Sequence, residues 1–88
     1  MLGRREGRAV NGSKAPGLAD AQKALGRRIC ELRRKKGWSQ ESFADICRIH
    51  RSHMGEIERG ECNVTLETLA VITGKLETTI SLLFKAVA

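Results

Sequence analysis

Aromatic residues and proline are scarce in this chain: its 88 residues include two phenylalanines, one tryptophan and a single proline. A β-sandwich or barrel would use more of both to fill its layers and turn its corners, so a small helical domain is expected. Long apolar runs are missing as well. None approaches the ~20 residues of a membrane span, and the start, Met1-Leu2-Gly3-Arg4-Arg5, lacks the apolar centre of a signal peptide. These absences predict a cytoplasmic protein with no membrane partner. Cysteine is limited to Cys30, Cys47 and Cys62, an odd number at wide spacing. With no close Cys/His cluster beside them they predict neither a disulfide framework nor a zinc site, and they read as reduced thiols packed inside, Cys62 being the one in a polar turn. His50 and His53 have no carboxylate or cysteine at ligand spacing and read as surface histidines. No metal, cofactor or catalytic residue is therefore expected. A chain of this length buries only roughly 60% of its unfolded surface, which leaves little room for an active-site cleft, so an enzyme is not expected.

What is present is basic charge, unevenly placed. The formal net charge is +6, divided as +2 over residues 1–20, +5 over 21–60 and −1 over 61–88. A polyanionic partner fits a positive front and a near-neutral last third.

Residues 1–19 are rich in Gly, Ala, Arg and Ser with no hydrophobic period, and they read as a flexible basic arm with a possible backbone or minor-groove role on DNA. From about Asp20 the pattern becomes helical. Leu25, Ile29 and Leu32 recur on one face, with Arg27, Arg28, Glu31 and Arg34 facing away, and Gly37 stops the helix after a basic last turn. Ser39 suits the N-cap of a second helix with Glu41 in its first turn; Phe43, Ala44 and Cys47 form its inner face. After a break at Arg48–His50, a third helix runs from Arg51 to Arg59 with Met54 and Ile57 buried, ending at Gly60. Thr65 can cap a fourth helix carrying Leu66, Leu69, Ala70 and Ile72, and Thr79 can start a fifth carrying Ile80, Leu83 and Phe84. The expected fold is all-α, one domain over residues 20–88.

The segment Gln40–Arg59 is the informative one. Two helices joined by a three- or four-residue turn leave the second exposed along one side, and a helix of that width fits a major groove about 12 Å across. Ala44 is small where the two helices must approach, Ile49 plugs the turn, and Met54 and Ile57 fasten the third helix. Arg51, Ser52, His53, Gly55, Glu56 and Arg59 are left outside, a polar set suited to base edges and phosphates.

Ser39-Gln40-Glu41-x-x-Ala44 followed by Ile49-x-Arg51-Ser52-x-Met54-x-Glu56-Ile57-Glu58-Arg59-Gly60 resembles the lambda-repressor/Cro-like helix-turn-helix family of the xenobiotic-response-element type. The likeness extends to Leu25-Gly26-x-x-Ile29-x-x-Leu32-Arg33 before it and Asn63-x-Thr65-Leu66-x-x-Leu69 after it, covering about residues 23–84. The stretch from Arg51 to Leu66 is also similar to the controller proteins of bacterial restriction–modification systems. The resemblance implies a five-helix DNA-binding fold and a transcriptional regulator that binds a two-fold operator in double-stranded DNA as a homodimer. It implies Gln40 on a phosphate and a base edge, with Ser39 beside it at the helix start. Arg51 becomes the leading base reader, its fork matching the two acceptors of guanine, and Ser52, His53, Glu56 and Arg59 lie around it. Asn63 would touch the DNA backbone, and Arg33 and Glu58 match a structural ion pair between the first and third helices.

This chain also departs from the family's pattern. Arg48 stands where glycine is usual, so a positive φ there costs roughly 1 kcal/mol or more; in exchange Arg48 can reach a phosphate. His50 replaces a Ser or Asp cap, which predicts fraying of the third helix. Cys62 replaces an arginine frequent in controller proteins, and Glu77 replaces a glycine after the fourth helix. Trp38 takes a core leucine's place and is expected to pack. Leu82, Leu83, Phe84 and Val87 of the last helix form the expected dimer surface, and RNA polymerase is a further candidate partner. The competing reading is an antitoxin-type module whose first task is to bind a protein.

Overall fold

Apolar side chains at three- and four-residue spacing make the first helix, and they set the direction in which the rest of the chain packs. In the computed structural model, which describes residues 17–87, that helix is α1 (Leu18–Lys35). It is followed by α2 (Gln40–Cys47), α3 (Arg51–Arg59), α4 (Leu66–Lys75) and α5 (Ile80–Val87), with no strand among the described residues. The architecture is all-α, as the composition predicts. α1 begins at Leu18, two residues ahead of the expected boundary at Asp20. Nearly all of the expected basic arm lies outside the described residues. No helix among the described residues is long and apolar enough to cross a membrane.

α1 packs against α3 and α5, while α2 packs against α3 and α4. Leu25 and Ile29 of α1 are buried with Phe43, Ala44 and Cys47 of α2 and Met54 and Ile57 of α3. Leu69, Ile72 and Leu76 close the same core from α4 and its C-cap, and Leu83 closes it from α5. Leu32 is half-buried against this core, and Trp38 stacks on Phe43 with ring centroids 5.4 Å apart. Trp38 is thus a packing residue. Arg27, Glu31 and Arg34 are exposed, and Arg28 is half-buried beside its partner Glu31.

Two expected core positions face out instead: Leu66 is 71% exposed, and Ala70 is exposed as well. Leu66 opens α4, before the helix has turned its apolar side inward. Thr73, unforeseen, takes the inner position three residues beyond Ala70, its hydroxyl donating to the Leu69 carbonyl at 2.8 Å. In α5, Leu83 is fully buried while Leu82 is 57% exposed. Leu83 is therefore a core residue and is unavailable to a dimer surface, because neighbouring positions on a helix point in different directions. The side chains of Phe84 and Val87 lie outside the described residues.

Local chemistry fixes the helix ends. Ser39 Oγ accepts from the Ser42 amide at 3.0 Å, Thr65 Oγ1 from Thr68 at 3.1 Å and Thr79 Oγ1 from Leu82 at 3.1 Å. The backbones of α1 and α3 approach closely at Gly26. A Cβ at Gly26 would lie 2.5 Å from the carbonyl oxygens of both Ile57 and Glu58, so only glycine lets the two helices meet there.

Candidate nucleic-acid interface

The turn between α2 and α3 sets the angle at which α3 is presented. Arg48 closes α2 in the left-handed conformation, φ 60° and ψ 40°, so the strain expected of a non-glycine residue is present. Its amide donates to the Asp45 carbonyl, and the Ile49 amide returns to Ala44 at 2.9 Å. Ile49 is half-buried against the core, plugging the turn. The fraying expected of His50 is overturned: its Nδ1 accepts from the Ser52 amide at 3.3 Å and lies 2.8 Å from Ser52 Oγ, so the imidazole acts as the N-cap. Gly60, at φ 73°, ends α3 against the backbone of Lys23.

Behind α3 lies a buried ion pair. Arg33 Nε donates to Glu58 Oε2 at 2.7 Å and Arg33 Nη2 to Glu58 Oε1 at 3.0 Å. The same guanidinium donates to the Trp38 carbonyl at 2.9 Å. Gln40 Nε2 completes the group by donating to Glu58 Oε1 at 3.0 Å. Burial pushes the Glu58 carboxyl up, but the hydrogen bonds from Arg33 and Gln40 and the guanidinium charge outweigh it, holding the carboxyl below the ordinary glutamate range. The hydrogen bond to Glu58 likewise raises Arg33. The Gln40 amide therefore serves as a strut between α2 and α3 while its side chain still borders the outward cleft.

In front, α3 presents Arg51, Ser52, Glu56 and Arg59, all exposed, with His53 half-buried beside them. Arg51, Ser52, Glu56 and Arg59 rim an open cleft with Gln40 and Glu41 of α2, and His53 lies outside it. Gly55 faces this cleft as expected but forms its floor, buried beneath the Arg59 and Gln40 side chains. Ser39 is exposed at the start of α2, its hydroxyl engaged as the cap. Arg48 is exposed, with no ion pair among the described residues. Asn63 is exposed in the turn after α3, where its Oδ1 accepts from Gln22.

Acids accompany the cations of this face. Arg51 pairs with Glu41, Arg59 with Glu61 at 3.0 Å, and His53 Nδ1 lies 3.5 Å from Glu56. The Arg51–Glu41 pair had no sequence signal beyond Glu41 standing in the first turn of α2. All three cysteines are free thiols; Cys47 is buried and Cys30 and Cys62 are half-buried. Burial raises the Cys47 thiol, and burial plus the Glu56 and Glu61 charges raises Cys62. Contrary to the expectation that neither histidine has ligands nearby, His53, Glu56 and Cys62 come together, with donor atoms all within 4.8 Å of one another. The Gly60 turn folds the chain back and brings the thiol there, which linear spacing does not reveal.

A family model described as a helix-turn-helix domain matches residues 24–82. The control protein C.SmaI of Serratia marcescens is 36% identical over 61 residues, which span 69% of this chain and 73% of that protein. The restriction–modification controller protein C.AhdI of Aeromonas hydrophila superposes with a TM-score of 0.68 at 36% identity, over 72% of this chain and 96% of that one. The controller protein C.Esp1396I, solved as a tetramer in complex with its natural 35 base-pair operator, superposes with a TM-score of 0.67 at 27% identity, over 76% and 88% of the two chains. This chain belongs to the helix-turn-helix domain family, with restriction–modification control proteins among its relatives.

Proposed function

We propose that the protein is a sequence-specific transcriptional regulator that binds a two-fold DNA operator as a homodimer, laying α3 in the major groove of each half-site. The observation that carries this reading is the division of α3 into two sides. One is locked to α1 and α2 by Met54, Ile57 and the Arg33–Glu58 pair. The other is a polar row set on a rigid support, the form in which base edges are read. Such a row has no role in packing.

In this reading Arg51 reads guanine, Ser52, His53 and Glu56 contact neighbouring bases or backbone, and Arg48, Arg59 and Asn63 hold phosphates. Backbone amides at the start of α2 add a phosphate contact beside Ser39. α5 supplies the dimer surface through exposed Leu82. The C.Esp1396I assembly on its operator supports a multimeric mode of binding. The protein acts where the DNA is, in the cytoplasm, and without catalysis.

Selection of bound fragments from random duplex DNA tests the proposal. Enrichment of a two-fold site with half-sites about 34 Å apart is expected; failure to enrich any two-fold site would sink it.

A further inference from the structure

His53, Glu56 and Cys62 bring an imidazole, a carboxylate and a thiol into one small cluster beside the middle of α3. His53 and Glu56 are three residues apart on one face of the helix, with Nδ1 and Oε1 3.5 Å apart. Cys62 arrives from the other side, after Gly60 has turned the chain back. Donor atoms in a tetrahedral zinc site lie about 3.3–3.8 Å from one another, given metal–ligand bonds of about 2.0–2.3 Å. The separations here, all within 4.8 Å, require a contraction of at most roughly 1.5 Å. Rotation of the exposed Glu56 and half-buried His53 and Cys62 side chains can supply it.

We propose that His53, Glu56 and Cys62 form a binding site for a borderline-soft divalent cation, Zn²⁺, on the recognition helix. The nitrogen, oxygen and sulfur set suits zinc and disfavours Mg²⁺ or Ca²⁺, which take oxygen ligands. Three protein ligands leave a fourth position for water, the arrangement of an exchangeable site and not of a closed structural one. On binding, the Cys62 thiol loses its proton to solvent and the thiolate, the carboxylate and the neutral imidazole coordinate the metal. A filled site holds His53 and Glu56 against the Cys62 turn and withdraws them from the groove. This coupling rests on the DNA-binding reading above; the metal site itself does not.

Cobalt replaces zinc as the visible probe, added to the full-length reduced protein without DNA. A thiolate-to-cobalt charge-transfer band with the strong visible bands of a tetrahedral site is expected. Cys62→Ser abolishes the charge-transfer band, His53→Gln and Glu56→Gln each weaken cobalt affinity, Cys30→Ser and Cys47→Ser leave the spectrum unchanged, and Zn²⁺ displaces the cobalt. Far-ultraviolet circular dichroism confirms that each variant is folded. Absence of the band, or its survival in folded Cys62→Ser, overturns the site. In a second arm, saturating Zn²⁺ weakens binding to the selected DNA site about fivefold or more in the natural sequence and not in Cys62→Ser. Unchanged DNA affinity at saturating metal overturns the coupling, and because the cobalt arm contains no DNA, failure of the DNA reading is seen separately.

Discussion

The guanidinium of Arg33 and the carboxylate of Glu58 meet edge to edge, joined by two hydrogen bonds of 2.7 and 3.0 Å, and so tie α1 to α3. Both side chains are almost fully buried, so neither can be left alone at low cost. Glu58→Ala is expected to destabilise the fold by about 3–5 kcal/mol, since it strands a buried guanidinium and frees the Gln40 amide. The double change Arg33→Met with Glu58→Leu recovers most of that loss by replacing the pair with apolar packing. Urea unfolding of the three proteins measures both. If the double variant is no more stable than Glu58→Ala, the cost does not come from an orphaned charge.

The same pair gives the fold an acid limit. Glu58 sits below its ordinary value, so its stabilisation is complete above the unfolded value of about 4.3 and is lost as pH falls through the lower folded value. Glu77, lowered by its Lys36 partner, is fully exposed and adds little. Unfolding free energy is therefore expected to fall from about pH 5 downward, with a shallower decline in Glu58→Gln. An identical decline in that variant would place the acid sensitivity elsewhere.

The sequence and the structure agree where a feature depends on neighbours along the chain. Helix existence, the Ser39 and Thr65 caps and the buried faces of α2 and α3 follow from spacing of three and four and from residue chemistry at the ends. Arg33 and Glu58 could be matched only through the family resemblance, since they are 25 positions apart. What stayed hidden depends on how elements meet. Gly55 looked outward on a helical wheel, yet side chains from Gln40 and Arg59 lie across it. Leu83 looked available because α1's cover over it is a tertiary fact. The His53–Glu56–Cys62 cluster is invisible without the left-handed Gly60 turn.

His50 shows how a poor cap by residue type can still work by geometry. Its Nδ1 occupies the place of a serine or aspartate oxygen, at the long distance of 3.3 Å. His50→Asp should shorten that bond and favour the helix dipole, stabilising by up to about 1 kcal/mol. That corresponds to a rise in Tm of roughly 4–8 °C in a domain of this size. His50→Ala should lower stability by about 0.5–1 kcal/mol. Calorimetry of the three proteins checks the order, and equal Tm values for His50 and Ala would remove the imidazole from the cap.

Arg48 combines a stability cost with an exposed cation, and one substitution separates them. Its φ of 60° is a conformation that glycine adopts without the steric penalty of a Cβ. Arg48→Gly is expected to stabilise the fold by about 1 kcal/mol, less whatever the freer unfolded chain takes back. It should also weaken DNA binding and make the plot of log affinity against log salt shallower by about one. Thermal unfolding and a salt titration read the two effects independently. A more stable variant with an unchanged salt slope would mean that Arg48 meets no phosphate.

Arg51 is held by Glu41 in the free protein, and in the proposed complex DNA replaces that partner. Arg51→Ala is expected to lose about 1–3 kcal/mol of binding and to relax base preference at one position in each half-site. An equal loss for all sequences would make Arg51 a phosphate contact instead. Glu41→Gln frees the guanidinium and removes an acid from the groove face, so affinity should rise, by less than about tenfold for an exposed pair. The two causes separate in a double-mutant cycle. Repulsion between Glu41 and phosphate acts whether or not Arg51 is present, whereas release of Arg51 requires it. A larger gain from Glu41→Gln with Arg51 present than in the Arg51→Ala background is therefore expected. Equal gains in the two backgrounds would reduce the Arg51–Glu41 pair to a surface contact that DNA binding does not disturb.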